Sequence, residues 1–274
     1  MNTLYTKEEA LALKTYHFAH LLVEEYGHLL TITLNRPEKK NALNPVLMKE
    51  IAYALYYAHH NRNTWVVVIA AKGDVFCAGA DLKAFAGHKE ETTSTIPDPV
   101  GDVVIGDVFA GLCKPCIAKV HAPVYAGGFL IIGGCTHVIS ADHAIFSLPE
   151  VKRGLFPFQV MQSMLQIMPA RTVLDFCMRA KTVNALEAVQ LGLVSKAVGA
   201  TELDDEVQAL VAELMQYSPS GIRLGLQAYN ALKSLSSADA HKEMKKLLDE
   251  VLLTEDAAEG LQAFIEKRKP NWKG

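Results

Sequence analysis

The feature that most constrains the fold is an uninterrupted run at residues 64–71, Thr-Trp-Val-Val-Val-Ile-Ala-Ala, which contains no charge and no turn residue. Such β-branched runs are typical of strands that are buried on both faces of a parallel sheet. Just before it, a segment from Asn44 to about His60 carries apolar residues at helical spacing. Asn44 is the predicted N-cap and Pro45 occupies the first helical position. A helix that leads into a doubly buried strand predicts an α/β core.

The same patterns extend along the chain and divide it into three parts. A hairpin is predicted from residues 19–25 and 28–35, and short strands are predicted at 115–121, 136–140, 144–148 and 193–198. Helices are predicted from Asn184 to Gly192 and, as long amphipathic segments, at 201–217, 219–235 and 238–253. We therefore predict a polar N-terminal leader of uncertain structure at 1–18, an α/β core at 19–200 and a C-terminal helical region at 201–274.

Charge and hydropathy exclude several classes of protein. The chain has 27 Lys and Arg residues against 30 Asp and Glu residues, a net charge of −3, which does not suit a general polyanion binder. Its apolar runs fall well short of the roughly 20 residues that cross a bilayer, and no targeting segment is visible. We therefore expect no nucleic-acid partner, no membrane partner and a cytoplasmic location. The five cysteines predict reduced thiols, and no metal cluster is visible.

Two turns rich in small residues are candidates for contact with a ligand. Residues 76–83, Phe-Cys-Ala-Gly-Ala-Asp-Leu-Lys, follow the buried strand, and residues 125–129, Tyr-Ala-Gly-Gly-Phe, open an apolar helix. Small residues let a backbone N–H approach a ligand closely, and the first N–H groups of a helix have no intrahelical partner. Two such amides that face one oxygen would form an oxyanion hole. Taken singly, either turn could instead serve packing alone.

Three charged features also admit a structural and a functional interpretation. Glu150 lies in apolar sequence, where burial would raise its pKa toward a value useful for proton transfer, but it could equally pair with Lys152 or Arg153 at the surface. The clusters at 36–40 and 267–269 could each bind a phosphate or could simply be solvated. Residues 81–100 are polar and contain proline, so they are a candidate mobile lid.

Taken together, seven segments match one family in order and nearly in spacing. They are residues 34–43, 75–83, 114–120, 126–128, 148–157, 188–194 and 263–272. Over residues 20–272 the chain resembles the enoyl-CoA hydratase/isomerase (crotonase) family. The resemblance implies an α/β fold, a crotonase-like spiral of ββα units with a C-terminal helical trimerisation region, and a homotrimer or homohexamer. It also implies an acyl-CoA substrate whose coenzyme A is part of the substrate, with no separate cofactor.

The resemblance also assigns roles to individual residues. The oxyanion hole falls on the N–H groups of Ala78 and Gly127, and the family's second carboxylate falls on Glu150. The residues that correspond to those holding CoA are Arg36, Lys39, Lys40, Ala80, Asp81, Leu82, Phe264 and Lys267.

The sequence departs from the two-carboxylate hydratases at the first carboxylate, where it carries Leu130. The acyl pocket also differs, and His121, Tyr125 and Phe158 are expected to line it with Leu130. A single Glu favours isomerase-type proton shuttling. The close alternative is a hydratase, possibly of a branched enoyl-CoA, whose water is held by His121, Tyr125 or the backbone. An alternative of another class is a non-catalytic acyl-CoA binding protein.

Overall fold

The computed structural model describes residues 4–88, 91–233 and 235–274. The strands are β1 (Leu21–Tyr26), β2 (Leu29–Leu34), β3 (Val66–Ala71), β4 (Cys116–Val120), β5 (Val124–Tyr125), β6 (His137–Ala141), β7 (Ile145–Ser147), β8 (Thr182–Asn184) and β9 (Lys196–Val198). The helices are α1 (Lys7–Leu11), α2 (Pro45–His60), α3 (Leu82–Phe85), α4 (Ile105–Ala110), α5 (Gly128–Ile132), α6 (Phe158–Met164), α7 (Ala170–Arg179), α8 (Ala185–Gln190), α9 (Leu203–Leu214), α10 (Pro219–Leu232), α11 (Ser237–Leu252) and α12 (Glu255–Glu266).

The main sheet has six strands in the order β1-β2-β3-β4-β6-β9. The predicted β1–β2 hairpin is antiparallel, and every other pair in this sheet is parallel. Strand β3 is central and buried on both faces, as its sequence predicted. Val67 and Ile69 face the large core beneath α2, whereas Val66 and Val68 face α9. The side chains of β3 alternate between these two cores because successive residues of a strand point to opposite faces.

A second, three-stranded sheet in the order β5-β7-β8 positions the loops of the site. Strands β5 and β7 are parallel neighbours, with Val124 opposite Phe146 and Tyr125 opposite Ser147. A single parallel bridge between Cys77 and Val124 joins this sheet to the segment that follows β3. The turns after β5 and β7 therefore leave the sheet at the same edge.

The N-terminal segment differs from the polar leader of uncertain structure that the sequence predicted. Helix α1 begins with a capping box between Thr6 and Glu9. Leu4, Tyr5, Ala10 and Leu13 are buried in the main core. The Tyr5 ring packs edge-on against Tyr53 of α2 with centroids 5.3 Å apart. Residues 4–15 thus form part of the core, because their apolar side chains cover α2. Residues 1–3 lie outside the described residues.

The candidate lid is also more firmly held than its composition indicated. The Thr95 N–H donates to the His17 carbonyl at 3.0 Å, and the Val100 N–H donates to the Leu4 carbonyl at 2.8 Å. Ile96 is buried in the main core. The loop at 91–100 is therefore anchored to the N-terminal segment, and the prediction of a mobile lid is wrong for these residues. Residues 89 and 90 of the predicted lid lie outside the described residues.

Helices α9, α10 and α11 correspond to the three long helices predicted after residue 200, and α12 is a fourth helix that was not predicted. Helix α9 covers the main sheet on the face opposite α2, and α10 packs against α11 and α12. Asp256 of α12 is buried and accepts hydrogen bonds from the Ser218 hydroxyl and the backbone N–H groups of Ser220, Lys273 and Gly274. Among the described residues, no helix is both long and apolar enough to cross a membrane.

Candidate active site

The backbone of Leu43 fixes the direction of the Ala80 N–H. Leu43 donates its N–H to the Gly79 carbonyl at 2.7 Å and accepts from the Asp81 N–H at 2.9 Å. Leu43 thus forms an isolated parallel bridge with Ala80. Since both bonds come from the neighbours of Ala80, its own N–H points away from Leu43. No described residue accepts a hydrogen bond from it.

The Gly127 N–H lies beside that of Ala80. Gly127 is the N-cap of α5, and Ala126 before it has φ +50° and donates its N–H to the Ser147 carbonyl at 3.0 Å. A Cβ atom built on Gly127 would lie 3.4 Å from the Ala80 nitrogen. Within the described chain the Gly127 N–H also has no acceptor. Two adjacent N–H groups without partners can donate together to one oxygen, which is the geometry of an oxyanion hole.

Gly79 permits this close approach. Its φ is +89°, and a Cβ atom at this position would lie 2.4 Å from the Ala126 Cβ and 2.8 Å from the Gly127 nitrogen. Any other residue type at position 79 would force the turn at Ala126 and Gly127 to move. The glycine also ends the extended conformation of the segment after Cys77, so that the N–H groups of Ala78 and Ala80 no longer face the same side.

For this reason the predicted pair of Ala78 and Gly127 is wrong. The Ala78 N–H donates to the Lys40 carbonyl at 3.0 Å, so it is not available to a substrate. Ala80, which was predicted to bind CoA, carries the N–H that lies beside that of Gly127 without an acceptor among the described residues. Cys77 is not a nucleophile, because burial raises the pKa of its thiol to about 12 and its Sγ donates to the Asn41 carbonyl.

Glu150 follows β7 at the edge of the sheet where Gly127 follows β5. The hydrogen bond from Ala126 to Ser147 joins the two loops directly. The Glu150 side chain is half-buried, and its Oε2 is buried without a hydrogen-bond partner in the described chain. Burial raises the pKa of this carboxyl, while nearby Arg153 opposes the shift. The described residues show no ion pair to Glu150, so the surface-pair interpretation is not supported. A carboxylate in this state can accept a proton.

Leu130 and Phe158 line one cavity of about 510 Å³. Leu130 lies on α5, and its N–H donates to the Gly127 carbonyl, so the cavity begins one helical turn from the oxyanion amide. Phe158 at the start of α6 is 70% exposed. Helix α4 contributes Asp107 to the wall, which the sequence analysis did not single out because it lies outside the matching segments. Its lining residues do not include Glu150, Ala80 or Gly127.

His121 and Tyr125 do not line that cavity, contrary to expectation. The His121 Nε2 lies 2.7 Å from the Gly73 carbonyl oxygen, which ties the ring to the turn after β3. Tyr125 belongs to β5, where its N–H donates to the Cys77 carbonyl. The two residues therefore serve the architecture of the loops around the site.

The predicted CoA-binding residues near the site differ in their exposure to solvent. Lys39, Lys40 and Leu82 are exposed at the surface, as a binding role requires. Arg36 differs from them, because it is 1% exposed and its Nη1 pairs with Asp81 Oδ2 at 2.8 Å, so its guanidinium is turned into the protein and not toward a ligand at the surface.

Phe264 and Lys267 lie elsewhere, on α12 and at its C-terminal end. Phe264 is 81% exposed. Neither residue forms a hydrogen bond or ion pair with the 36–40 turn in the part of the chain that the structure describes. Helix α12 packs mainly against α10 and α11. The described residues also contain no group of three His, Cys, Asp or Glu side chains that could hold a metal ion.

Solved structures share this architecture. The crystal structure of enoyl-CoA hydratase from Mycobacterium tuberculosis matches 93% of this chain and 99% of its own, with a TM-score of 0.82 at 28% identity. That of enoyl-CoA hydratase from Bacillus anthracis matches 93% and 99%, with a TM-score of 0.81 at 27% identity. The fold is the crotonase fold, as the sequence resemblance implied.

The family model for enoyl-CoA hydratase/isomerase matches residues 24–274. A probable enoyl-CoA hydratase from Mycobacterium leprae is 32% identical over 259 residues, which cover 92% of this chain and 97% of the relative. A carnitinyl-CoA dehydratase from Proteus mirabilis is 33% identical over 261 residues, with coverage of 90% and 96%. This chain belongs to the enoyl-CoA hydratase/isomerase family and is an acyl-CoA enzyme.

Proposed function

We propose that this enzyme moves the double bond of an enoyl-CoA, with Glu150 as the only carboxylate that shuttles the proton. The observation that carries the proposal is the contrast between two positions. Glu150 presents a half-buried carboxyl whose Oε2 has no partner among the described residues, whereas Leu130 presents only hydrocarbon to the cavity. One base suffices for isomerisation, because the group that removes a proton at one carbon can return it at another.

The chemistry begins at the thioester carbonyl. With its oxygen between the N–H groups of Ala80 and Gly127, negative charge that develops on that oxygen is stabilised by two donors. Loss of one such donor raises the barrier in other enzymes by roughly 3 to 4 kcal/mol. Glu150 then accepts the proton from the 2-carbon of a 3-enoyl-CoA, which leaves a dienolate. The same carboxyl returns the proton to the 4-carbon, which gives the 2-enoyl-CoA and regenerates the carboxylate.

A hydratase is the second candidate, and the names of the relatives support it. Both relatives described above are named for the addition or removal of water. Such an enzyme needs a group that orients the water, and Leu130 cannot do so. Asp107 lines the same cavity as Leu130 and is the carboxylate best placed among its lining residues for this task.

The test compares the rates of both reactions in the same preparations. Wild type, Glu150→Gln and Leu130→Glu are assayed for isomerisation of 3-enoyl-CoA and for hydration of 2-enoyl-CoA across chain lengths. We expect isomerisation in wild type, a loss of about 10²- to 10⁴-fold in Glu150→Gln, and a gain of hydration in Leu130→Glu. Glu24→Gln, an exposed change on β1, is the control and should behave as wild type.

Three results would contradict the proposal in different ways. Equal rates in wild type and Glu150→Gln would remove Glu150 from the mechanism. Hydration without isomerisation in wild type would favour the hydratase, and loss of that hydration in Asp107→Asn would identify its water ligand. Tight binding of acyl-CoA without turnover of any substrate would favour a non-catalytic binding protein.

The binding of CoA is part of the same proposal. Leu82 lies two residues after Ala80, and the Lys40 carbonyl accepts from the Ala78 N–H, so exposed Lys39, Lys40 and Leu82 are placed to contact the nucleotide and pantetheine arm of CoA. Phe264 and Lys267 would join them only if a second copy of the chain, or a movement of α12, brings that helix to the site.

A further inference from the structure

A buried ion pair joins the 36–43 segment to the segment that carries Gly79, Ala80 and Asp81. The Arg36 Nη1 lies 2.8 Å from Asp81 Oδ2, and the exposed fractions of the two side chains are 2% and 16%. The same nitrogen donates to the Ala42 carbonyl at 3.1 Å. One guanidinium therefore joins residues 42 and 81, which belong to the two chain segments that form the bridge at Ala80.

Asp81 transmits this link to Ala80 through several bonds. Its Oδ1 accepts from the N–H groups of Lys83 and Ala84, so it caps α3. Its own N–H donates to the Leu43 carbonyl. Asp81 thus holds the Ala80–Asp81 peptide through its backbone N–H and both carboxylate oxygens. The Ala80 N–H belongs to the peptide before it, whose Gly79 carbonyl accepts from the Leu43 N–H at 2.7 Å. Arg36 holds the neighbouring Ala42 carbonyl, so the ion pair keeps both segments in the register that directs the Ala80 N–H.

Arg36 is itself fixed by Asn41, which is fully buried. The Arg36 N–H donates to Asn41 Oδ1 at 2.9 Å, and Asn41 Nδ2 donates to the carbonyls of Lys72 and Val75. Lys40 and Asn41 both have left-handed backbone conformations, with φ of 53° and 52°. The 36–41 turn is thus a rigid support that docks onto the loop between β3 and Ala80.

We infer that Arg36 and Asp81 are positioning residues that set the direction of the Ala80 N–H, and that neither acts by binding the phosphates of CoA. The inference rests on the proposed function, since it concerns the same thioester site. Hydrogen bonds weaken steeply as their angle departs from linear, so a rotated peptide at Ala80 would lose stabilisation of the enolate oxygen. Catalytic groups need support of this kind, because small displacements lower their effect.

The test separates positioning from phosphate binding by the choice of substrate. Arg36→Met and Asp81→Asn are assayed for α-proton exchange with an acyl-CoA and with the matching N-acetylcysteamine thioester, which lacks the nucleotide and its phosphates. We expect kcat to fall about 10- to 100-fold with both substrates. The infrared carbonyl stretch of the bound, ¹³C-labelled thioester should shift less from its solution value than in wild type, because that shift reports the strength of the oxyanion hydrogen bonds.

The controls address folding and ordinary loss of an ion pair. Arg179→Met removes an exposed pair with Asp175 and should leave both readouts as in wild type. Arg36→Lys keeps the charge but not the planar guanidinium and should fall between wild type and Arg36→Met. If Arg36→Met does not fold, Asp81→Asn decides, because an asparagine can still cap α3.

Two results would overturn the inference alone. One is a loss confined to KM for the acyl-CoA that disappears with the truncated thioester, which would show a phosphate-binding role. The other is a carbonyl stretch that is the same in the variants and in wild type. A wild-type enzyme that shows neither proton exchange nor a carbonyl shift would instead overturn the proposed function.

Discussion

At the scale of single residues, the site depends on one carboxyl group in a partly dehydrated position. Burial raises the pKa of Glu150 above the ordinary 4.5, because the charged form loses contact with water. Two backbone N–H groups supply the other half of the chemistry. Under the proposed mechanism, we expect the protonation state of Glu150 and the conformation of Gly79 to affect activity most directly.

The first prediction concerns pH. Glu150 must be ionised to accept a proton, so kcat/KM should fall about tenfold per pH unit once the pH drops below the pKa of this group. Since that pKa is raised, the decline should begin at a higher pH than for an ordinary glutamate. A pH profile of α-proton exchange checks this, and a profile that stays level down to pH 4.5 would contradict it.

The second prediction concerns Gly79→Ala. The new Cβ would meet Ala126 and the Gly127 nitrogen, so the two oxyanion amides should be forced apart and activity should fall by roughly 10- to 10³-fold. Stability should fall by about 1–3 kcal/mol from the positive φ and the crowding. Gly101→Ala is a matched control, because its φ is +91° but a Cβ would meet nothing within 4 Å. Equal activity losses in both variants would show that backbone strain alone is responsible.

Glu150, Leu130 and Gly127 are indicated by the sequence, whereas the amide that lies beside Gly127 is that of Ala80 and not that of Ala78. Ala78 and Ala80 are both alanines in one short motif, and only the φ of Gly79 and the bridge to Leu43 distinguish their N–H directions. Neither property is visible in residue types. The burial of Arg36 was not predicted for a related reason, because a charged residue in a turn gives no sign that its partner, Asp81, lies in a distant segment.

At the scale of elements, helix α2 shows how well local signals predicted structure. Asn44 caps the helix by accepting the Leu47 N–H, and Pro45 begins it, as predicted. Helix α1 was missed, since five residues give too short a pattern to indicate a helix. Its apolar residues are ordered by contact with α2 rather than by propensity.

The third prediction concerns the C-terminal end of α2. Lys114 is buried, and its Nζ donates to the carbonyls of Ala58, Asn61 and Thr64 at 2.5, 2.7 and 2.6 Å. Burial lowers the pKa of this ammonium to about 7, so the group is charged at pH 6. Its positive charge stabilises the C-terminal end of α2, where the helix dipole is negative. Lys114→Met would leave these carbonyls unsatisfied, and we expect a loss of at least about 2 kcal/mol in the free energy of unfolding.

Urea unfolding at pH 6 measures this change. Lys119→Met on β4 is the control, because its pair with Asp204 is largely exposed and should contribute about 1 kcal/mol or less. Similar losses in the two variants would show that the buried cation does not hold the end of α2.

At the scale of the whole molecule, the family resemblance predicted the crotonase fold because its seven segments recur in order, and nearly in spacing, over residues 20–272. It could not place the segments between motifs. The anchoring of residues 91–100 to the N-terminal segment depends on contacts between sequences that match no motif. The domain boundaries at 18 and 200 stay a prediction.

The fourth prediction concerns assembly. Several large apolar side chains of α11, α12 and the two-residue link between these helices are exposed in the single chain: Leu248, Leu252, Leu253, Leu261, Phe264 and Ile265. Exposed apolar surface of this extent is typical of a protein interface. We expect a homotrimer or homohexamer by light scattering, and dissociation in a Leu253→Lys, Phe264→Lys double variant. A monomeric wild type would contradict this expectation.

The N–H groups of Ala80 and Gly127 belong to the main chain, which limits how far mutation can alter them. A point mutation exchanges side chains and leaves peptide groups in place, so most coding changes near the pocket spare the ability to hold a thioester oxygen. New acids, bases and pocket walls can therefore arise while both N–H groups stay in place.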